Sequence, residues 1–310
     1  MIRRVSALAP FHWLIGATRI LARHPGALLL GTFSALMSFS GLMLFVGLTI
    51  GTLLAALGFA KSGIHDRFVL LAISVPMMLL TMLIPQLLVG GIAHLIHGGE
   101  TDGSTHPFNV YAGLRKHNFL RLSPLVSIQI FCLLATIVLS AVFGGEHYFA
   151  DSTKYFSTLL STPGNMVPKL PPPPEPRWPK MLFYATLVMN ASVYLLQLFA
   201  PIHAVLGPRG GFAAIGDCVR GFLANAAAMA VAGMLCILLL FGFMLVVFCM
   251  LIVATAVAQS SPVFGSLFAL MLMMVLASAG IALWVAYGYC GWREMYGPGD
   301  EAQESGSVAV

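Results

Sequence analysis

From Gly221 to Trp292 the chain runs for 72 residues without an Asp, Glu, Lys, Arg or His. A soluble domain has no place for such a run, because each of its elements must turn one face to water. A bilayer does, since a spanning helix needs about 20 consecutive apolar residues. The run is long enough for two spans, and Gln259-Ser260-Ser261-Pro262 divides it. The whole chain shares this character. Hydrophobic residues make up 59% of it and charged residues 9%, against about 45–50% and about 25% in ordinary soluble domains. A soluble enzyme and a disordered chain are both excluded, leaving an integral membrane protein.

Charge-free runs elsewhere complete the pattern. Spans are expected over residues 27–60, 68–96, 122–145, 181–206, 221–258 and 263–292, six in all. Together they make one membrane domain over 1–296, all-α and polytopic. Pro76 and Pro85 are expected to kink the second span. Residues 146–180 read as a long polar outer loop, and 297–310, rich in Gly, Ser and acidic residues, as a disordered cytoplasmic tail. Arg19 and Arg23 interrupt any signal-peptide core, so the first apolar run reads as an uncleaved anchor.

Orientation follows from Lys and Arg, which favour cytoplasmic segments. With both termini inside, ten of these residues are cytoplasmic and six are not, four of the six lying in the long loop. The net charge of +5 then suits an anionic inner leaflet, and no basic run is long enough to read as a nucleic-acid patch. The expected partners are therefore anionic inner-leaflet lipids, not nucleic acid. Pro171–Pro174 forms a stiff polyproline stretch, either a spacer or a docking strut for a protein partner outside.

A three-fold repeat of about 100 residues is visible. Before each odd-numbered span lies a partly basic amphipathic segment, expected to be an interfacial helix. Phe11 precedes Arg19 by eight residues, Phe108 precedes Lys116 by eight, and Phe212 precedes Arg220 by eight. In the first segment Phe11, Leu14, Ile15, Thr18, Leu21 and Ala22 share a helical face; in the third Phe212, Ile215, Val219, Phe222 and Leu223 do. Such a segment lays its apolar face at the head-group boundary and reaches phosphates with its basic side chains. Arg19, Arg23, Arg115, Lys116 and Arg220 are the candidate lipid contacts.

Three stretches carry a resemblance. Val110–Arg115 resembles an aromatic-x-Gly-apolar-Arg segment, Ala214–Asn225 an Ala-to-Asn segment entering the fifth span, and Tyr289–Gly297 a closing aromatic-Arg-acid-x-aromatic-Gly end. They are similar to those of a family of uncharacterised proteobacterial six-helix inner-membrane proteins. That family is related in architecture to the membrane domain of some glycerophosphodiester phosphodiesterases. Cys218 stands where the family usually has Ser. The resemblance covers most of the chain and implies a bacterial inner (plasma) membrane location. It implies no activity, since the phosphodiesterase's soluble catalytic domain has no counterpart here.

Candidate chemistry is sparse. His94, His97, His106 and His117 cluster around the end of the second span, and with Glu100 or Asp102 two of them could hold a metal. No metal signature accompanies them, and solvated or lipid-facing histidines are the plainer reading. His203 is a titratable group inside an apolar segment, which marks it for a role. Asn190 and Gln197 lie seven apart on the same span, as a polar lining or as hydrogen-bonding glue. Asn225, Gln86 and Gln129 are similar singletons. The methionines and the five cysteines lack ligand spacing and read as packing. There is no phosphate-binding loop, nucleophile elbow or calcium loop. No carboxylate lies inside any span, which disfavours ion-coupled transport. No catalytic, cofactor-binding or metal site is expected. The leading expectation is a non-enzymatic accessory, scaffolding or envelope-related protein. The alternatives are a permease or exporter for an amphipathic or lipid-like substrate, lined by Asn190, Gln197 and His203, and a head-group enzyme using the histidine cluster.

Overall fold

The computed structural model describes residues 2–56, 65–101, 103, 105–145, 147–161 and 173–297. Among these residues the fold is helical and contains no strand. In chain order the helices are α1 (Ala9–Arg23), α2 (Pro25–Ala56), α3 (His65–Thr101), α4 (Lys116–Leu122), α5 (Val126–Gly144), α6 (Tyr148–Ser161), α7 (Pro179–Leu206), α8 (Phe212–Ala224), α9 (Ala226–Ser260) and α10 (Pro262–Tyr296). Two 3₁₀ segments, Pro107–Leu114 and Ser123–Leu125, flank α4. Among the described residues six helical stretches are long and apolar enough to cross a membrane: Pro25–Thr49, Val75–Thr101, Lys116–Gly144, Pro179–Leu206, Ala226–Val253 and Val263–Tyr296. The chain is a multi-pass membrane protein.

The chain forms two compact units, 1–126 with 196–310, and 127–195. In the larger unit α10 is the hub, packed against α1, α2, α3 and α9. Small residues bring its neighbours close. Gly288 lies against Leu198 and Ile202, Gly291 against Phe199 and Trp13, and Cys290 against Gly16. A second close approach joins α3 to the first 3₁₀ segment. Gly91 meets the carbonyl oxygen of Val110, and Gly113 meets that of Leu87. In the smaller unit Trp178 N–H donates to the Phe143 carbonyl (3.0 Å) and Arg177 N–H to that of Gly144 (2.9 Å). Gly145, at φ +94°, makes that turn possible.

Several expected boundaries move. The second span does not end at 96: α3 runs unbroken through Pro76 and Pro85 to Thr101. Its last turn is held by Glu100, whose carboxylate lies 3.5 Å from Arg23 and 3.9 Å from His24 at the end of α1. The fifth span does not begin at 221. Residues 221–224 finish α8, the chain breaks at Asn225 (φ −125°), and α9 starts at Ala226. The third span's helix starts upstream of 122, because Pro124 sits in a short 3₁₀ turn that links α4 to α5. The outer loop is not loop throughout. It contains the 14-residue helix α6, with Asp151 in its first turn, where a negative charge favours the helix end. The middle amphipathic segment is not an α-helix but a 3₁₀ segment that begins with Pro107 and stops at Arg115, with α4 starting afresh at Lys116. Of the polyproline stretch, Pro171 and Pro172 lie outside the described residues, as do 57–60 of the first span and 298–310 of the tail. Pro173 and Pro174 are in non-helical chain.

Candidate functional site

The most distinctive polar site of the larger unit is built from the ends of α7, α8 and α10. His203, 4% exposed, sits one turn from the end of α7. Gly207 follows it at i+4, donating its N–H to the His203 carbonyl (2.9 Å), and a Cβ there would press on the imidazole. From α10, the Trp292 Nε1–H donates to His203 Nδ1 (3.1 Å). An indole can only donate, so Nδ1 is the acceptor and the neutral ring carries its proton on Nε2. That nitrogen faces Asp217 Oδ2 of α8 at 3.5 Å, an electrostatic contact rather than a formed hydrogen bond. Tyr296 lies beside the imidazole, with ring centroids 4.8 Å apart, and its hydroxyl points to the carbonyls of Asp217 (3.4 Å) and Cys218 (3.5 Å).

Asp217 is shared. Arg209 Nη1 stands 3.9 Å and Arg220 Nη1 3.8 Å from its other oxygen, Oδ1. Both arginines are largely exposed, 64% and 73% by side chain. Arg121 lies under the loop between α7 and α8. Its Nη2 donates to the Gly207 carbonyl (2.6 Å), its backbone carbonyl accepts from Gly211 N–H (2.9 Å), and its side chain occupies the space a Cβ of Gly210 would need. Gly211, at φ +62°, completes the turn into α8. Burial, and then the neighbouring Asp217 carboxylate, push the Cys218 thiol up to about 12, so it is a packing group rather than a nucleophile.

A second polar site closes the amino terminus over the same helices. Asn225 Oδ1 accepts the Val5 N–H (2.8 Å), and its Nδ2 donates to the carbonyls of Arg3 (3.1 Å) and Gly221 (3.0 Å). Arg3 N–H donates to the Met295 carbonyl (3.0 Å), and the Arg3 guanidinium reaches that of Gly297. Trp13 Nε1–H donates to Glu294 (2.5 Å).

The residues singled out in the sequence are distributed as follows. Arg19, Arg23, Arg115, Lys116 and Arg220 are all exposed; Arg23 pairs with Glu100, and Arg220 with Asp217. Asn190 is exposed and belongs to the smaller unit, where its Nδ2 donates to the Thr186 carbonyl (2.9 Å) and Cys132 Sγ reaches its Oδ1 (3.7 Å). Gln197 is half-buried on α7 in the larger unit. The histidine cluster does not assemble around one point. His97 contacts the Tyr289 hydroxyl (3.2 Å), His117 faces Arg121 (3.4 Å), and the His106 ring lies tilted beside that of Phe108 (centroids 5.4 Å apart). Among the described residues no three His, Cys, Asp or Glu side chains are grouped as metal ligands; Asp102 lies outside them.

Three residues not singled out as site residues in the sequence turn out to matter: Trp292, Arg209 and Tyr296. Trp292 and Tyr296 are the two aromatics of the closing aromatic-Arg-acid-x-aromatic-Gly stretch and stand four apart, hence on one helical face, while Arg209 counted only among the cytoplasmic basic residues. The stretches Ala214–Asn225 and Tyr289–Gly297 meet physically, because the Tyr296 hydroxyl fills the space left by the missing side chain of Gly221. No known family model, curated protein or solved structure matches the chain.

Proposed function

We propose that this protein is a non-catalytic scaffold of a bacterial inner membrane, with both termini inside, that presents three interfacial elements to the anionic inner leaflet. One observation carries the reading. Phe11, Phe108 and Phe212, at matched spacing from Arg19, Lys116 and Arg220, are 45%, 64% and 69% exposed. The opposite face of each element is packed on protein: Ala9, Trp13, Ala17 and Ile20 in α1, Val110, Ala112 and Gly113 in the 3₁₀ segment, and Ala214, Cys218 and Gly221 in α8. Helices α1 and α8 thus each have a protein-facing side and carry an exposed large apolar residue and an exposed basic one, while in the middle element Phe108 belongs to the 3₁₀ segment and Lys116 to the start of α4, an arrangement that suits a head-group boundary. The polyproline stretch of the outer loop offers a protein partner a stiff docking strut. The resemblance of Ala214–Asn225 and Tyr289–Gly297 to an inner-membrane family supports the location.

Single cysteines test this. Arg19→Cys, Lys116→Cys and Ala224→Cys, each in a background without native cysteines, are expected to react with a membrane-impermeant maleimide in inverted vesicles and not in intact cells. Labelling of any one from outside would overturn the arrangement.

A permease for an amphipathic or lipid-like substrate is the second reading, favoured by Gln86. Its side chain is 1% exposed, yet among the described residues neither amide atom has a hydrogen-bond partner. A buried amide left unpaired is costly, and a polar group passing through or lodged in the bundle would satisfy it.

A further inference from the structure

We infer that Arg209 and Arg220 clamp the phosphate of an anionic phospholipid whose acyl chain lies along Phe212, Val219 and Leu223. This rests on the membrane-surface reading above and names the ligand of one of its three elements.

The charges around the loop favour an anion. Two guanidiniums face a single carboxylate oxygen, and a third, Arg121, lies under the same loop, so positive charge is in excess. Because Arg209 and Arg220 both stand within 4 Å of Asp217 Oδ1, their facing nitrogens are at most about 8 Å apart. At 3.8 and 3.9 Å the contacts are longer than charge-assisted hydrogen bonds, which run about 2.7–2.9 Å. Among the described residues neither guanidinium makes a hydrogen bond, so the donors of both are available. A phosphate can accept from two such forks at once. Asp217 stays beside His203, which Trp292 holds, and is, among the described residues, the one carboxylate that competes with a phosphate for the two guanidiniums.

An exposed apolar stripe accompanies the arginines. Phe212, Val219 and Leu223 recur at i, i+7 and i+11, one stripe of α8. They are exposed, Leu223 at 76%. Arg220 adjoins Val219 in sequence, and Arg209 stands three residues before Phe212. An apolar stripe beside unused phosphate donors matches an amphiphile better than a soluble anion. The excess positive charge selects a head group whose phosphate has no ammonium beside it, such as phosphatidylglycerol, over zwitterionic phosphatidylethanolamine.

The test uses the full chain in mild detergent. Phosphatidylglycerol and phosphatidylethanolamine of matched chains are titrated separately, and bound lipid is counted by native mass spectrometry. Wild type is expected to bind phosphatidylglycerol roughly tenfold more tightly, the value of one hydrogen bond to a charged group. Arg209→Gln/Arg220→Gln is expected to abolish the preference, and Lys180→Gln, in the outer segment, to leave it intact. Asp217→Asn is expected to strengthen binding by removing the competing carboxylate. Should the double Gln variant misfold, Arg209→Lys/Arg220→Lys keeps the charge and loses the forks, and is expected to retain only part of the preference. Equal binding of the two lipids by wild type, or an unchanged preference in both double variants, would overturn the clamp. Displacement of phosphatidylglycerol by millimolar inorganic phosphate would assign the arginines to a free anion and overturn the lipid. Maleimide labelling of α8 from outside would instead remove the scaffold reading and leave this titration interpretable.

Discussion

Asn225→Ala should release the amino terminus. The amide makes three bonds, to Val5 N–H at 2.8 Å, the Arg3 carbonyl at 3.1 Å and the Gly221 carbonyl at 3.0 Å. Asn225 is buried, whereas Arg3 and Val5 are half-buried, so water can reach the groups left behind on the terminal segment. Each orphaned backbone group then costs toward the low end of about 1–3 kcal/mol, or about 2 kcal/mol for the two groups on that segment. The third bond lies within α8 and is replaceable by the helix's own turn. Opening of the terminal segment by about 2 kcal/mol corresponds to about 30-fold faster exchange of the Val5 amide. Hydrogen exchange with mass spectrometry in detergent micelles reads this directly on residues 2–6. Asn225→Asp sharpens the test. It has nearly the same shape, but both oxygens of its carboxylate accept, and one would face the Arg3 and Gly221 carbonyls. Exchange in the Asp variant should be no slower than in the Ala variant. Near wild-type protection in Asn225→Asp would show that accepting the Val5 N–H alone holds the segment and that the bond to the Arg3 carbonyl adds nothing, and unchanged exchange in Asn225→Ala would refute the strap altogether.

Gly91→Ala and Gly113→Ala should each destabilise the larger unit by about 1–3 kcal/mol, because each Cβ meets a backbone carbonyl that cannot turn aside. The double variant should lose less than the sum, since both clashes push the same 3₁₀ segment off α3; strict additivity in thermal unfolding would contradict this. A variant with Cys218 as its only cysteine should resist N-ethylmaleimide at pH 8 in the folded state and react on unfolding, because the buried thiol stays protonated. The same shift carries a sign for stability. Unfolding lowers the thiol's proton affinity, so the native state keeps its proton where the unfolded chain loses it, and stability falls as pH rises from about 9 towards 12. Labelling at the rate of an exposed thiol would contradict the burial.

The spans were readable because a bilayer imposes a simple demand: a helix must run about 20 residues without a charge. Gly221–Trp292 meets that demand twice over. Boundaries were less readable, for reasons that lie in tertiary contacts. The paired Gly98 and Gly99 disfavour a helix, and α3 continues there with Glu100 finding Arg23 and His24, 76–77 residues away in the chain. Residues 221–224 look as apolar as those that follow, and only the turn at Asn225 separates α8 from α9. Helix α6 was hidden because its polar residues read as loop. Of the candidate site, His203 was legible as an ionisable group in an apolar segment. Its partners were not, since Asp217 and Trp292 reach it from two other helices. Asn225 was visible only as one amide among several, because two of its three partners are backbone groups more than 200 residues distant. The equal spacing of Phe11, Phe108 and Phe212 from their basic residues was plain in the sequence. Their common exposure, on elements of different helical type, was not.

A membrane surface built from three elements requires those three phenylalanines to sit at one level. Each can be replaced by a cysteine carrying an environment-sensitive fluorophore, in nanodiscs containing lipids with nitroxides at graded depths along the chain. All three labels are predicted to be quenched most strongly by the shallowest nitroxides and to the same extent. A label quenched best from the bilayer centre, or one untouched by any nitroxide lipid, would contradict the three-element membrane surface.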